Sequence, residues 1–304
     1  MPPHVFGLTA EALAYGRFVR AAGGFEFEAY GRIGLPAGLF PPGPLGGPLH
    51  DPAALKEALA QLVREAGARV AEASLVLPDA WLRVTFAEVG ELPGNPAKLD
   101  ELLRWKLERL VPFRVEDLRL TAVEVPALAG QEEPRRLMLC FGIEALLAQL
   151  EGIFTDQGAR LGQIVPASLA AAAAAHEVTS GPELTGLVIA GEEGYALSFL
   201  EAGSPVLHRY RTLAVASGRE RLVARDLKLT RTFLDERLPG RELARILLLS
   251  PESALPAWTE SLALAFERPV VALRREQLPL RGALPEAALE RVAPLLGAAI
   301  QEAA

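Results

Sequence analysis

Apolar residues are spaced in two ways along this chain, and the change from one spacing to the other marks its elements. Phe25, Phe27 and Ala29 alternate with Glu26 and Glu28, the period-two pattern of a half-buried strand. Residues 3–9, 12–20 and 25–33 read as three short strands, the last two joined by a turn at Ala22-Gly23-Gly24. A Pro- and Gly-rich loop from Pro36 to Pro48 leads into a helix that Asp51 can cap, with Pro52 at its first position and an end near Ala66. Residues 72–78 form another strand. The segment from Trp81 to Gly142 predicts strand (81–88), helix (96–111), strand (118–125) and strand (135–142), then a helix that Gly158 can close. Residues 161–165 read as a short strand and 167–177 as an alanine-rich helix, and Thr179-Ser180-Gly181-Pro182 marks a domain junction. Beyond it come strands at 184–190, 194–201 and 205–212, a long amphipathic helix over 215–237, strand 245–250, helix 252–266, strand 269–273 and a C-terminal helix from Pro285. Each half opens with three meandering strands and then alternates helix and strand, which predicts an α/β protein of two similar lobes.

The helix over 96–111 departs from a plain amphipathic pattern. Leu99, Leu102, Leu103, Leu107, Leu110 and Val111 form one stripe, while Trp105 falls on the polar face among Lys98, Glu101, Glu108 and Arg109. A tryptophan in that position needs a cover. Another part of the same chain can supply it, or Trp105 can anchor a partner, since Trp and Arg are enriched at interface hot spots.

Composition narrows the function classes. Half of the 304 residues are apolar, which excludes disorder and allows one large or two medium cores. The net charge is −7 without a basic stripe, which argues against a nucleic-acid partner. Arg274-Arg275 and the positions around Arg219, Arg221 and Arg225 read as solvated faces rather than a membrane patch. The longest apolar run, 164–175, is mostly alanine and falls short of the roughly 20 residues that span a bilayer. No secretion leader is expected at the N-terminus, and the single Cys140 reads as core; both point to a cytoplasmic protein. His4, His50, His176 and His208 lack metal-ligand spacing, and no nucleophile triad, Walker or dinucleotide motif occurs. No metal or cofactor is expected.

The run Glu101-Leu102-Leu103-Arg104-Trp105-Lys106-Leu107-Glu108-Arg109-Leu110-Val111-Pro112-Phe113 resembles a signature of the PilM family. These are actin-like proteins of type IV pilus assembly related to FtsA. Arg104-Trp105 and Pro112-Phe113 match, while Lys106 replaces an acidic residue. Residues 77–83, 145–165, 225–233 and 246–250 resemble further family segments. The resemblance implies an actin-like, two-lobed α/β fold with an inserted FtsA/PilM-type subdomain. Residues 1–80 with 158–180 would form the first lobe, 81–157 the inserted subdomain, and 181–304 a second lobe lacking most of its nucleotide-capping subdomain.

Actin-like ATPases hold nucleotide between the lobes, with an Asp-containing hairpin from each lobe and a Gly-Gly pair near the adenosine. On that alignment Thr9 replaces the first Asp and Glu11 the following Gly. Ile189 replaces the second Asp, Gly191 survives, and Glu192 and Glu193 add charge; Pro251-Glu252 stand in place of Gly-Gly. The resemblance therefore implies a pseudo-ATPase without a cofactor. It would be a scaffold at the cytoplasmic side of the inner membrane that binds the cytoplasmic tail of a PilN-like membrane protein. Arg83, Arg104, Trp105, Pro112 and Phe113 would lie at or support the groove, and pilus motor ATPases are further candidate partners. Neither nucleic-acid binding nor direct membrane insertion is expected. The alternatives are a GspL-like cytoplasmic domain of type II secretion and an active actin-fold ATPase.

Overall fold

Among the described residues three β-sheets organise the fold, two of them grown from the strand meanders that open its halves. A computed structural model describes residues 4–41, 45–67, 69–111, 114–126, 134–191, 193–213, 218–282 and 289–303. β1 (His4–Leu8), β2 (Ala12–Ala21) and β3 (Gly24–Gly34) pair antiparallel in sequence order. α1 (Ala53–Glu65) then leads to β4 (Glu72–Leu77), parallel to β1. Asp51 Oδ1 accepts the Ala53 amide at 2.9 Å, so the helix opens one residue after Pro52.

β5 (Arg83–Val89), α2 (Pro96–Glu108), β6 (Leu118–Val125) and β7 (Arg135–Ile143) build a separate antiparallel sheet in the order β5-β7-β6. Leu103 and Leu107 of α2 bury against Ala87, Leu118, Leu137, Leu139 and Phe141 of this sheet. The helix ends earlier than its apolar stripe suggests, at Glu108, capped at its start by Asn95 on the Ala97 amide. α3 (Glu144–Asp156) returns the chain to β8 (Arg160–Pro166), parallel to β4. The single helix expected at 167–177 is two, α4 (Ala167–Ala174) and α5 (His176–Thr179), broken at Ala175.

The second meander is β9 (Leu184–Ala190), β10 (Gly194–Glu201) and β11 (Ser204–Thr212). α6 (Arg219–Arg237) leads to β12 (Leu243–Leu249), parallel to β9, and α7 (Leu255–Phe266) to β13 (Val270–Ala272), parallel to β12. A 3-10 turn at Glu252–Ala254 replaces the first turn expected of α7. The strand orders include β3-β2-β1-β4-β8 and β11-β10-β9-β12-β13, so one wiring pattern is used twice.

The chain end corrects one expectation. β14 (Leu280–Arg281) pairs parallel with β3, and α8 (Leu289–Ala303) packs on β1, β4 and α4, so these two elements belong with the first sheet rather than with a second lobe running to 304. The expected helix start at Pro285 lies outside the described residues. α4 and α8 fill the space between the lobes, sharing one core with Val5 and Val76 of the first sheet and Leu187, Leu247 and Leu249 of the second. The alanine run is explained here. A Cβ added at Gly297 of α8 would stand 1.6 Å from the Ala170 carbonyl oxygen, so the two helices meet backbone to backbone. Among the described residues no helix is long and apolar enough to cross a membrane.

Candidate functional site

Of the predicted partner-binding residues that are described, Arg104 and Trp105 lie on α2 and Arg83 on β5. Trp105, on α2, is 50% exposed, with the Arg109 guanidinium 4.7 Å from its ring centroid as a partial cover. The next residue toward the N-terminus points elsewhere: Arg104 donates to Asp100 at 2.7 Å, to the Leu118 carbonyl at 3.0 Å and to the Val115 carbonyl. Arg104 thus ties α2 to the segment that enters β6, and its role is to place that segment. Leu110, just past the helix, is exposed as well. Pro112 and Phe113 lie outside the described residues.

Arg83 sits apart from this group. It opens β5, and its guanidinium lies 4.8 Å from the ring centroid of Tyr210 on β11. Burial lowers its pKa, and its Nε has no hydrogen-bond partner. Arg136 of β7 donates to the Val206 carbonyl of β11, so the small sheet leans on the second lobe through β5 and β7. β6 is the opposite edge of that sheet and pairs only with β7 among the described strands.

Behind Arg83 is a buried polar cluster that motif reasoning missed, because its members share no local spacing. Asp79 accepts the Ser168 amide at 3.1 Å, which caps α4, and the Ser168 hydroxyl donates to its other oxygen. His208 of β11 places Nε2 3.9 Å from Asp79 Oδ1, and its Nδ1 hydrogen-bonds Ser198 Oγ at 2.9 Å. Burial pushes Asp79 up to about 6 and His208 down to about 4. Between those two values a protonated Asp79 lies beside a neutral His208, and above about 6 Asp79 ionises; two buried groups of the first lobe thus face two of the second. The cue available in sequence was weak: His208 occupies an inward position of an otherwise apolar alternation.

No family model matches the chain, and no curated protein matches it in sequence. Solved structures do match it. A chain of a PilM-PilN type IV pilus biogenesis complex superposes with TM-score 0.74 and 18% identity, covering 99% of this chain and 98% of that one. The cytoplasmic domain of EpsL, an inner membrane component of the type II secretion system of Vibrio cholerae, matches with TM-score 0.53 and 13% identity over 100% and 94% of the two chains. A Bacteroides thetaiotaomicron protein with an actin-like ATPase fold matches with TM-score 0.53 and 10% identity over 90% of each. The fold is actin-like.

In an actin-like frame the hairpin β1–β2, the hairpin β9–β10 and the end of β12 are the segments the sequence aligned with nucleotide elements. Thr9 closes the first hairpin: its Oγ1 accepts the Glu11 amide at 3.3 Å and the Ala12 amide at 3.1 Å. Glu11 is exposed at that tip, and its carbonyl is taken by the Leu35 amide at 2.7 Å. In the second hairpin the Gly191 amide bonds the Gly194 carbonyl at 2.9 Å, and the Gly191 carbonyl accepts from Arg219 at 3.4 Å. Glu193 is exposed beside it, while Glu192 lies outside the described residues. Ile189 packs on the core between the lobes. Pro251 follows the buried Ser250, and its carbonyl accepts the Ala254 amide at 2.9 Å, starting the turn that carries exposed Glu252.

Proposed function

We propose that this chain is a non-catalytic scaffold of type IV pilus assembly that holds the cytoplasmic tail of a PilN-like inner-membrane protein. The observation that carries the reading is the end-to-end likeness to a chain of the PilM-PilN complex, at TM-score 0.74. The fold-level likeness to the EpsL domain is the support for a second reading, a cytoplasmic component of type II secretion, at the lower TM-score of 0.53.

The hairpin chemistry supports the loss of nucleotide binding. A phosphate cradle needs free backbone amides and no anion nearby. At the first tip the Glu11 and Ala12 amides are held by Thr9, and at the second the Gly191 amide is held by Gly194. Glu11 and Glu193 place carboxylates at both tips. In this reading the cleft between the lobes is architecture, and 81–157 is the capture subdomain. Trp105 is the anchor, Arg104 its support, and the open edge of β6 a place where an extended tail can add a strand. Arg83 acts at the lobe junction instead. The protein would sit at the cytoplasmic face of the inner membrane through its partner, and motor ATPases would reach it there.

Isothermal titration tests both parts. The tail peptide of the PilN-like protein should bind the wild-type chain and lose at least about tenfold in affinity to Trp105→Ala. Magnesium-ATP should give no heat of binding; micromolar affinity would overturn the non-catalytic reading, and an unchanged Trp105→Ala titration would overturn the site.

A further inference from the structure

The outer face of the second lobe carries two adjacent helices of opposite charge. α6 turns Val223, Leu227, Thr230 and Leu234 inward and leaves Arg221, Leu222, Arg225, Lys228 and Leu229 exposed. Leu222 and Leu229 are 58% and 54% exposed, one heptad apart, beside a groove of about 420 Å³ lined by Arg221, Arg225 and Lys228. α7 packs beside α6 on the same face of the sheet, burying Trp258, Leu262 and Phe266. Its outward strip, with the turn before it, shows Glu252, Glu260, Glu267 and Leu264, which is 71% exposed. None of these three cations and none of these three carboxylates has an ion-pair partner among the described residues.

We propose that this face is a self-association surface, on which α6 of one copy packs against α7 of a second copy. A twofold axis running along the seam between α6 and α7 places each α6 opposite the other copy's α7, so every contact is made twice. Arg221, Arg225 and Lys228 then meet Glu252, Glu260 and Glu267, and Leu264 enters the groove flanked by Leu229. The complement is complete within one chain, which is what selects a second copy as the occupant. An anionic bilayer fits less well, because Glu236 is exposed on the same outward strip of α6, one turn beyond Thr232. Helices of 19 and 12 residues offer a small contact, at or below the ~800 Å² per partner of a standard interface, so a micromolar, salt-sensitive dimer is expected.

Sedimentation velocity on the full chain from about 1 to about 100 µM tests this. The wild type should shift from monomer to dimer. Arg221→Glu/Arg225→Glu/Lys228→Glu should be monomeric, as should Glu252→Lys/Glu260→Lys/Glu267→Lys, since each brings like charges together. Mixed in equal amounts, the two variants should form a heterodimer, because one contact is then wild-type and the other is restored with its signs exchanged. That rescue separates charge complementarity from misfolding, and Leu264→Ser, which changes no charge, should weaken the dimer at least about tenfold. A wild type that stays monomeric throughout overturns the proposal. So do variants that dimerise like the wild type, and so does a monomer that instead pellets with phosphatidylglycerol vesicles, which would assign α6 to lipid.

Discussion

The layer between the lobes and the helices outside them are built from opposite materials. Inside, α4 and α8 meet through alanines and Gly297, and Asp79 and His208 are buried with Ser168 and Ser198 around them. Outside, α2, α6 and α7 keep Trp105, Leu222, Leu229 and Leu264 in solvent. Close packing of small residues tolerates almost no change in volume, whereas an exposed large side chain contributes little to folding and much to whatever covers it. The inner layer is therefore where substitutions should act on stability, and the outer helices where they should act on binding.

The largest effect is expected at the tightest point. Gly297→Val puts a branched side chain where even a Cβ would lie 1.6 Å from the Ala170 carbonyl oxygen. Backbone cannot rotate away as a side chain can, so α4 and α8 must separate, at a cost of more than about 3 kcal/mol. The melting temperature should fall by on the order of 10 °C. A melting curve that matches the wild type would mean that the two helices do not approach as described.

A smaller and more diagnostic effect is expected from the buried pair. Between about pH 4 and 6 the folded protein holds one proton on Asp79, and the unfolded chain holds one on His208 instead. The proton counts match, so the pair leaves stability nearly flat with pH. Removing one member exposes the other. In Asp79→Asn only His208 remains, depressed below its usual 6.5; the unfolded chain then binds the extra proton, and stability rises with pH from about 4 to 6.5. In His208→Asn only Asp79 remains, raised above its usual 3.8; the folded state binds the extra proton, and stability falls over the window from about 4 to 6. Each slope totals about 3 kcal/mol for shifts of roughly two pH units. Urea midpoints measured against pH for both variants check this. Arg83, Cys140 and Tyr210 face the same cluster and stay in one protonation state over that range. Two variants with parallel profiles would break the coupling.

What the sequence disclosed follows from how each feature is encoded. The six meander strands were legible because alternation is local: Phe25 to Ala29 repeat at period two whatever lies across the sheet. α8 was legible as a helix, but its attachment to the first lobe was not, since an apolar stripe does not name the surface that buries it. β14 spans two residues, too few for any period. Trp105 stood out because it breaks a stripe, and it is exposed as that break suggested. Arg83 was grouped with it by family resemblance, yet strand β5 aims it at Tyr210. Asp79 and His208 were unreadable for the same reason: their meeting depends on how two lobes close.

The adjacent residues Arg104 and Trp105 carry the comparison down to a single turn of α2. Arg104→Ala removes a partly exposed ion pair and leaves the Val115 and Leu118 carbonyls without their charged donor. That should destabilise the fold by about 1–2 kcal/mol. Trp105→Ala removes a half-exposed ring touched by Arg109, and its effect on folding should stay within about 0.5 kcal/mol. If α2 holds the proposed PilN-like tail, the order for binding should reverse, with Trp105→Ala losing the contact itself and Arg104→Ala losing only its placement. Arg104→Lys keeps the charge but cannot reach Asp100 and two carbonyls with one planar fork, so it should recover part of the stability at most. If both substitutions lower stability and affinity in the same proportion, α2 is a structural helix like α4, and its exposed tryptophan is not a binding anchor.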